Sequence, residues 1–255
     1  MVEVSLMFDR APGACPTVFH PMVSPATLSP PAHSQPFHAA VSPKNALASM
    51  ITALEEDVVF GRLHPRERLV EDELMERFQV KRHVARDALA ALDRMGLIER
   101  RKNVGAVVRS FTVQKVQELY DLRSLLETEA ARSVILPVPP ERLERLIDIQ
   151  RQHDAAVTAA DARTVFRVNL AFHQELFRLG SSETLREAIA EYARQTHPIR
   201  FASLVSSQYR EQARHEHWQM IEALRAGDRA ALVTLCAEHL LPSRNAYLIA
   251  QQQRI

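Results

Sequence analysis

Residues 71 to 108 read "EDELMERFQVKRHVARDALAALDRMGLIERRKNVGAVV", and this stretch decides the fold. "EDELMERF" predicts a short helix, "QV" a tight turn, and "KRHVARDALAALDRM" a second helix that Gly96 ends. "LIERR" and "AVVRS" alternate as short strands, and "KNVG" between them supplies a glycine-containing hairpin turn. Upstream, Ile51, Leu54, Val58 and Val59 repeat at helical spacing until Gly61, and "LHPRERLV" reads as a connector. Helix, helix, turn, helix and a two-stranded wing is the order of a winged helix-turn-helix.

The second helix has two faces of different chemistry. Val84, Ala88, Leu89 and Leu92 form the apolar one, while Lys81, Arg82 and Arg86 leave the first turns on another. Between Arg77 and Arg109 stand nine basic residues against three acidic ones, although the whole chain carries a net charge of only +1. A local excess of that kind suits an anionic partner. Arginine near the start of a recognition helix is placed to fork onto guanine N7 and O6, or onto phosphate. A solvated charged face is the competing reading, and the wing beside the helix favours nucleic acid. The expected contacts are Lys81, Arg82, His83 and Arg86, with Lys102, Asn103 and Gly105 at the wing.

The remaining composition bounds the rest. The 255 residues are 46% hydrophobic and 25% charged, which is ordinary globular material with room for two cores. No apolar run approaches the ~18 residues of a membrane helix, and no signal peptide is recognisable, so the protein is expected in the cytoplasm. Two cysteines, Cys15 and Cys236, support neither a disulfide framework nor a cysteine-rich zinc motif. Residues 1–43 hold eight of the fourteen prolines and three charges, and read as a flexible extension. The expected domains are residues 44–110, which bind DNA, and residues 111–255.

After residue 111 the pattern is helical, with segments near 112–134, 139–159, 161–179, 181–204, 207–226 and 228–250. Helices of this length predict a mainly α protein, whose second half is an antiparallel bundle of six or seven helices. Its apolar faces carry unexpected polar groups. In "FRVNLAFHQELF", residues 166–177, Asn169 and His173 lie four apart on the core-facing side. His217 shares a face with Ala213, Met220, Ile221 and Leu224, and His239 follows Leu232, Leu235 and Cys236. His215 and Glu216 fall elsewhere. An inward amide or imidazole costs roughly 1–3 kcal/mol without a partner. Three such imidazoles and an amide satisfy one another either by hydrogen bonds within the bundle or around a cation, for which neutral imidazole is a common ligand.

The quoted stretch resembles the GntR family of bacterial transcription regulators, whose pattern is an acidic-x-x-Leu-Ala helix, then Val-Ser-Arg-x-Pro-Val-Arg-x-Ala-Leu, then a glycine-containing wing. Arg82 and Arg86 take the positions of that family's DNA-contacting arginines, and Gly105 that of its wing glycine. Lys81, Val84-Ala85 and Pro65-Arg66 depart from the pattern, as does Asp72, where some members have arginine. "ELYDLRSLLETEAA", "NLAFHQEL", "EHWQMIEALRAGD" and "CAEHLL" resemble the FCD effector-binding domain of the FadR-like branch. That resemblance implies a divalent metal, zinc or nickel, held by Asn169, His173, His217 and His239 beside a small organic acid. Asn169 stands where many members have aspartate, which leaves the cation's charge uncompensated and favours an anionic effector, with Arg123 and Arg200 as its carboxylate partners.

These readings predict a ligand-responsive, homodimeric DNA-binding repressor acting on a short inverted repeat, and not an enzyme. A three-histidine metalloenzyme is the rival from another class; "HEHWQ" lacks the His-Glu-x-x-His spacing, and Glu216 is expected to point away from the site. A regulator with a metal-free pocket is the other alternative.

Overall fold

The computed structural model describes residues 43–101, 104–180, 182–200, 204 and 206–252. Lys102, Asn103 and residues 1–42 of the proline-rich segment lie outside the described residues.

Helix α1 (Pro43–Val59) leads into β1 (Arg68–Leu69), α2 (Glu71–Phe78), α3 (Arg82–Arg94), β2 (Ile98–Arg101) and β3 (Gly105–Val108). The turn between α2 and α3 is tight because Gln79 adopts the left-handed conformation at φ 52°, and its backbone N–H closes onto the Met75 carbonyl. Gly96 ends the following turn at φ 75°, where a side chain would be strained. Met50, Leu54, Leu92, Leu97 and Ile98 are at most 1% exposed and form the small core that α1, α3 and the sheet share. The sheet has three strands, not the two expected: Arg68 and Leu69 of the supposed connector pair antiparallel with Val107 and Ala106. Two residues carry no readable alternation, so pairing with β3 alone makes this a strand.

Seven helices follow among the described residues: α4 (Val113–Arg132), α5 (Pro140–Thr158), α6 (Ala162–Arg178), α7 (Glu183–Gln195), α8 (Ser207–Ala226), α9 (Arg229–Glu238) and α10 (Leu241–Gln252). Thr112, Asp161, Ser182 and Asp228 cap α4, α6, α7 and α9 through side-chain oxygens that accept from backbone N–H groups. α5 packs on α6 and α8, and α9 on α4 and α8, around Leu146, Phe172, Leu176, Met220, Ile221 and Leu232.

Two expected helices break, both near proline. The segment expected to continue to residue 204 stops at Gln195, and His197–Ile199 form a single 3-10 turn around Pro198. Proline lacks the N–H an α-helix needs and disfavours helical geometry in the residue before it. The last segment divides at His239 and Leu240, so that Pro242 falls in the first turn of α10, where its missing N–H costs nothing. No described helix is long and apolar enough to cross a membrane.

Of three consecutive acids on α1, Glu55 and Glu56 fasten the two halves, while Asp57 ties α1 to its own half. Glu55 Oε1 lies 2.8 Å from His197 Nδ1, Glu56 Oε1 accepts from Arg163 Nε at 2.8 Å and from Arg167, and Asp57 pairs with Arg62 and Arg77 at 2.5 Å. Leu92, with no exposed surface, sits at the junction of the small core. Leu92→Ala is expected to cost about 2–5 kcal/mol in chemical denaturation, through lost transfer energy and the cavity left behind; a loss below about 1 kcal/mol would contradict this packing.

Candidate functional site

On α3, Val84, Ala85, Ala88, Leu89 and Leu92 are buried, while Lys81, Arg82, His83 and Arg86 are exposed. The basic side chains thus project from the start of the helix, with Lys81 as its N-cap residue. Gly105 opens β3 at φ 95°; the nearest atom to a Cβ there would be Arg68 Nε at 3.8 Å, so conformation and not space requires glycine. Arg82 Nη2 lies 2.6 Å from Asp72 Oδ1, and Arg86 Nε 2.9 Å from Glu71 Oε2. Both arginines therefore rest on carboxylates of α2, exposed pairs that are weak in water and that a phosphate or base edge can replace.

In the helical half, His173 from α6, His217 from α8 and His239 at the end of α9 place their candidate ligand nitrogens within 4.8 Å of one another. His173 Nε2 and His239 Nε2 are 3.1 Å apart, close to the ~3.0–3.4 Å that separates imidazole nitrogens each ~2.0–2.1 Å from one shared ion. His217 Nε2 is buried with no partner. Asn169, one turn before His173, is half-buried and lines the same cavity.

The neighbours of the ring nitrogens decide which of them carry protons. Asp154 accepts from Gln150 Nε2 at 2.8 Å and from Trp218 Nε1 at 3.0 Å. With its amide N–H so engaged, Gln150 turns Oε1 toward His217 Nδ1, 2.8 Å away. An oxygen cannot donate, so His217 Nδ1 bears the proton and Nε2 presents its lone pair. Glu216 Oε2 does the same for His239 Nδ1 at 2.5 Å. A second partner that fixes the tautomer and orientation of an imidazole is what a metal-binding histidine requires. Burial, followed by the charges of neighbouring groups, drives His173 and His217 well below the ordinary histidine range, so neither needs to lose a proton to bind a cation at neutral pH.

Two of these groups were misread or missed in the sequence. Glu216, expected to point away, lines the cavity; although burial pushes its carboxyl up, the hydrogen bond with His239 holds it below its usual range. A carboxylate thus stands directly behind one imidazole, where it would offset part of the charge of a cation held by the three rings. His153 went unnoticed. It is 1% exposed on α5, its ring centroid is 4.9 Å from that of His217, and burial lowers it to about 4. Its spacing from Gln150 and Ala156, both also buried on α5, was the available signal.

Arg123 and Arg200 are buried at the same cavity. Arg123 donates from Nε to Glu127 Oε1 at 2.9 Å and from Nη1 to Thr196 Oγ1 at 3.0 Å. Burial, together with the adjacent Arg123 charge, lowers Arg200 to about 10. The cavity opens to solvent at its mouth, and a second, larger cleft lies between α6, α7 and the end of α1. Arg123, His173 and Arg200 line both, and so form the wall between them.

Comparison with known proteins places these geometries. Residues 48–108 match the model of the bacterial regulatory proteins of the gntR family, and residues 118–241 that of the FCD domain. The chain is 27% identical over 203 residues to the HTH-type transcriptional regulator LutR of Bacillus subtilis, covering 71% of this chain and 91% of that one. It is 24% identical over 187 residues to the HTH-type transcriptional repressor RspR of Escherichia coli, covering 73% and 82%. Among solved structures, E. coli McbR/YncC superposes with a TM-score of 0.68 at 18% identity, over 82% of this chain and 98% of that one. A putative GntR regulator from Rhodococcus sp. RHA1 superposes with a TM-score of 0.67 at 21% identity, over 80% and 98%. Both likenesses show the same fold. The curated relatives are HTH-type transcriptional regulators and not enzymes, and with the two domain models matched in this order the chain belongs to the GntR family, in the FadR-like branch that pairs this DNA-binding domain with an FCD domain.

Proposed function

We propose that this regulator is a cytoplasmic, homodimeric repressor that binds a short inverted repeat in DNA and responds to a small carboxylate held beside a divalent metal. The observation that carries the reading is the convergence of three imidazoles, two with their Nδ1 protons already committed elsewhere, next to the buried Arg123 and Arg200. Residues 44–110 serve as the DNA-binding domain and residues 111–255 as the effector and dimerisation domain. His173, His217 and His239 hold the metal, zinc or nickel, with Asn169 as a fourth, neutral ligand. The cation supplies positive charge on which an acid anion can sit. Arg123 and Arg200 orient that anion's carboxylate by charge-assisted hydrogen bonds. The name of the relative RspR, a repressor, favours repression over activation.

The path to DNA runs through the 3-10 turn. Arg200 faces the cavity, and three residues earlier His197 meets Glu55 of α1. An acid that binds one placement of Arg200 more tightly than another shifts the turn, and with it α1, between two arrangements. In the dimer, this changes the spacing of the two α3 helices on successive half-sites.

Lys81, Arg82, His83 and Arg86 are the proposed groove and phosphate contacts, aided by Lys102, Asn103 and Gly105 of the wing. Arg82→Ala and Arg86→Ala should each weaken binding to a duplex that the wild type selects from a random library, by roughly 1–3 kcal/mol if the contact is a bidentate one to a base. Asp72→Asn should instead raise affinity on all sequences, since it releases Arg82 and removes a negative charge facing phosphate. Unchanged affinity in both arginine variants, with the fold intact by circular dichroism, would refute this docking.

Zinc or nickel titrated into the metal-stripped full chain should bind at about one ion per chain and raise its melting temperature. His217→Ala should abolish this and His215→Ala should leave it intact. Gln150→Leu, which frees the His217 tautomer, should weaken binding roughly 10–100-fold. No metal after mild purification, and no stabilisation by either ion, would leave a metal-free carboxylate pocket as the surviving reading.

Asn169→Asp adds a charged oxygen at the site and should tighten the metal while weakening an anionic effector. Equal metal affinity in variant and wild type would remove Asn169 from the ligand set.

A further inference from the structure

The cavity is more cationic than a single carboxylate requires. Arg123, Arg200 and Arg210 line it; Glu127 behind the wall pairs with Arg123, and the one carboxylate among the lining residues, Glu216, is already engaged by His239, which leaves the lining no further carboxylate. Arg123 and Arg200 act on each other as neighbouring charges and make one cationic end. Arg210 comes from a different element, the first turn of α8. Its Nη1 donates to the Leu204 carbonyl at 2.7 Å, which holds the guanidinium in place, while Nε is buried with no partner. His153, on the neighbouring α5, also lines the cavity and has a buried Nδ1 with no partner. Buried donors without acceptors are costly, and native proteins keep few of them. An unsatisfied guanidinium N–H and an unsatisfied imidazole nitrogen, on two residues that line one cavity, are the groups a second acidic group would engage.

We propose that the cavity takes a small dianionic acid: one carboxylate lies on the side of His173, His239, Arg123 and Arg200, and the second acidic group accepts from Arg210 Nε and His153 Nδ1. This rests on the carboxylate reading above and narrows it from small acids in general to diacids. The one-carboxylate acid leaves Arg210 and His153 unsatisfied, whereas the diacid satisfies both, so the preference belongs to the second subsite.

The test is calorimetric titration of lactate and of malate into the full chain in the presence of zinc. The two probes share a 2-hydroxy acid end and differ by one carboxylate. Wild type should bind malate about tenfold or more tightly than lactate, as expected for one charge-assisted contact in a buried site. Arg210→Gln should erase that preference while leaving lactate affinity within about twofold, and His153→Phe should reduce it. Equal binding of the two acids by wild type overturns the second subsite and leaves the carboxylate reading standing. An undiminished malate preference in Arg210→Gln overturns the assignment to Arg210. If neither acid binds, the carboxylate reading falls, and the diacid proposal with it. The wild-type comparison needs no variant to fold.

Discussion

His217 has no exposed surface, and the hydrogen bond from its Nδ1 to Gln150 is the contact around which the effector domain is arranged. An imidazole so deeply buried must place both nitrogens or lose the energy of the missing contact. One goes to α5, where Asp154 and Trp218 leave the Gln150 amide a single orientation. The other faces the meeting point of α6 and α9, stacked on Phe172 with ring centroids 3.9 Å apart. Four helices thereby acquire a common polar centre inside an otherwise apolar core. The same burial that makes the centre costly keeps its imidazoles neutral, and so suited to a cation.

A centre of this kind governs DNA only if it touches something that moves with the DNA-binding helices. The wall residues supply the contact. Arg200 borders the cavity from the end of a 3-10 turn whose His197 reaches Glu55, while the next acid, Glu56, is clasped by Arg163 and Arg167 on the helix that carries His173. Burial holds His197 down to about 4 even though Glu55 favours its charged form, so this link is a hydrogen bond from a neutral imidazole to a carboxylate and not an ion pair. A hydrogen bond that ends on a carboxylate contributes roughly 1.5–3 kcal/mol. The arginine clasp on Glu56 is a second contact between the two domains. In the DNA-binding half, the acids of α2 pair with Arg82 and Arg86 at the start of α3.

Most of the architecture was legible because it is local. Helical spacing in 82–94, the glycine at 96, the wing glycine at 105 and the four side-chain caps each act within a turn or two of their own position, so residue type and interval suffice to read them. The same holds for the inward direction of His173, His217 and His239, which follows from the faces of their own helices. Where local signals competed with partners far along the chain, the reading failed: Arg68 and Leu69 become a strand only because Val107 and Ala106 lie beside them. Glu216 is expected to point away from the site because it sits beside an inward histidine, yet α9 brings His239 to it from 23 residues away.

The amino-acid sequence by itself determined the winged helix-turn-helix, the helical bundle and the three candidate imidazoles, because periodicity and capping are properties of consecutive residues. Tertiary structure alone decided that those imidazoles meet, which nitrogen of His217 and of His239 is bare, and that His153 and Arg210 share their cavity. It also decided that Glu55 reaches His197, since that contact joins groups 142 residues apart. Tautomers and charge balance depend on what packs against a ring across helices, and no interval along the chain encodes that distance.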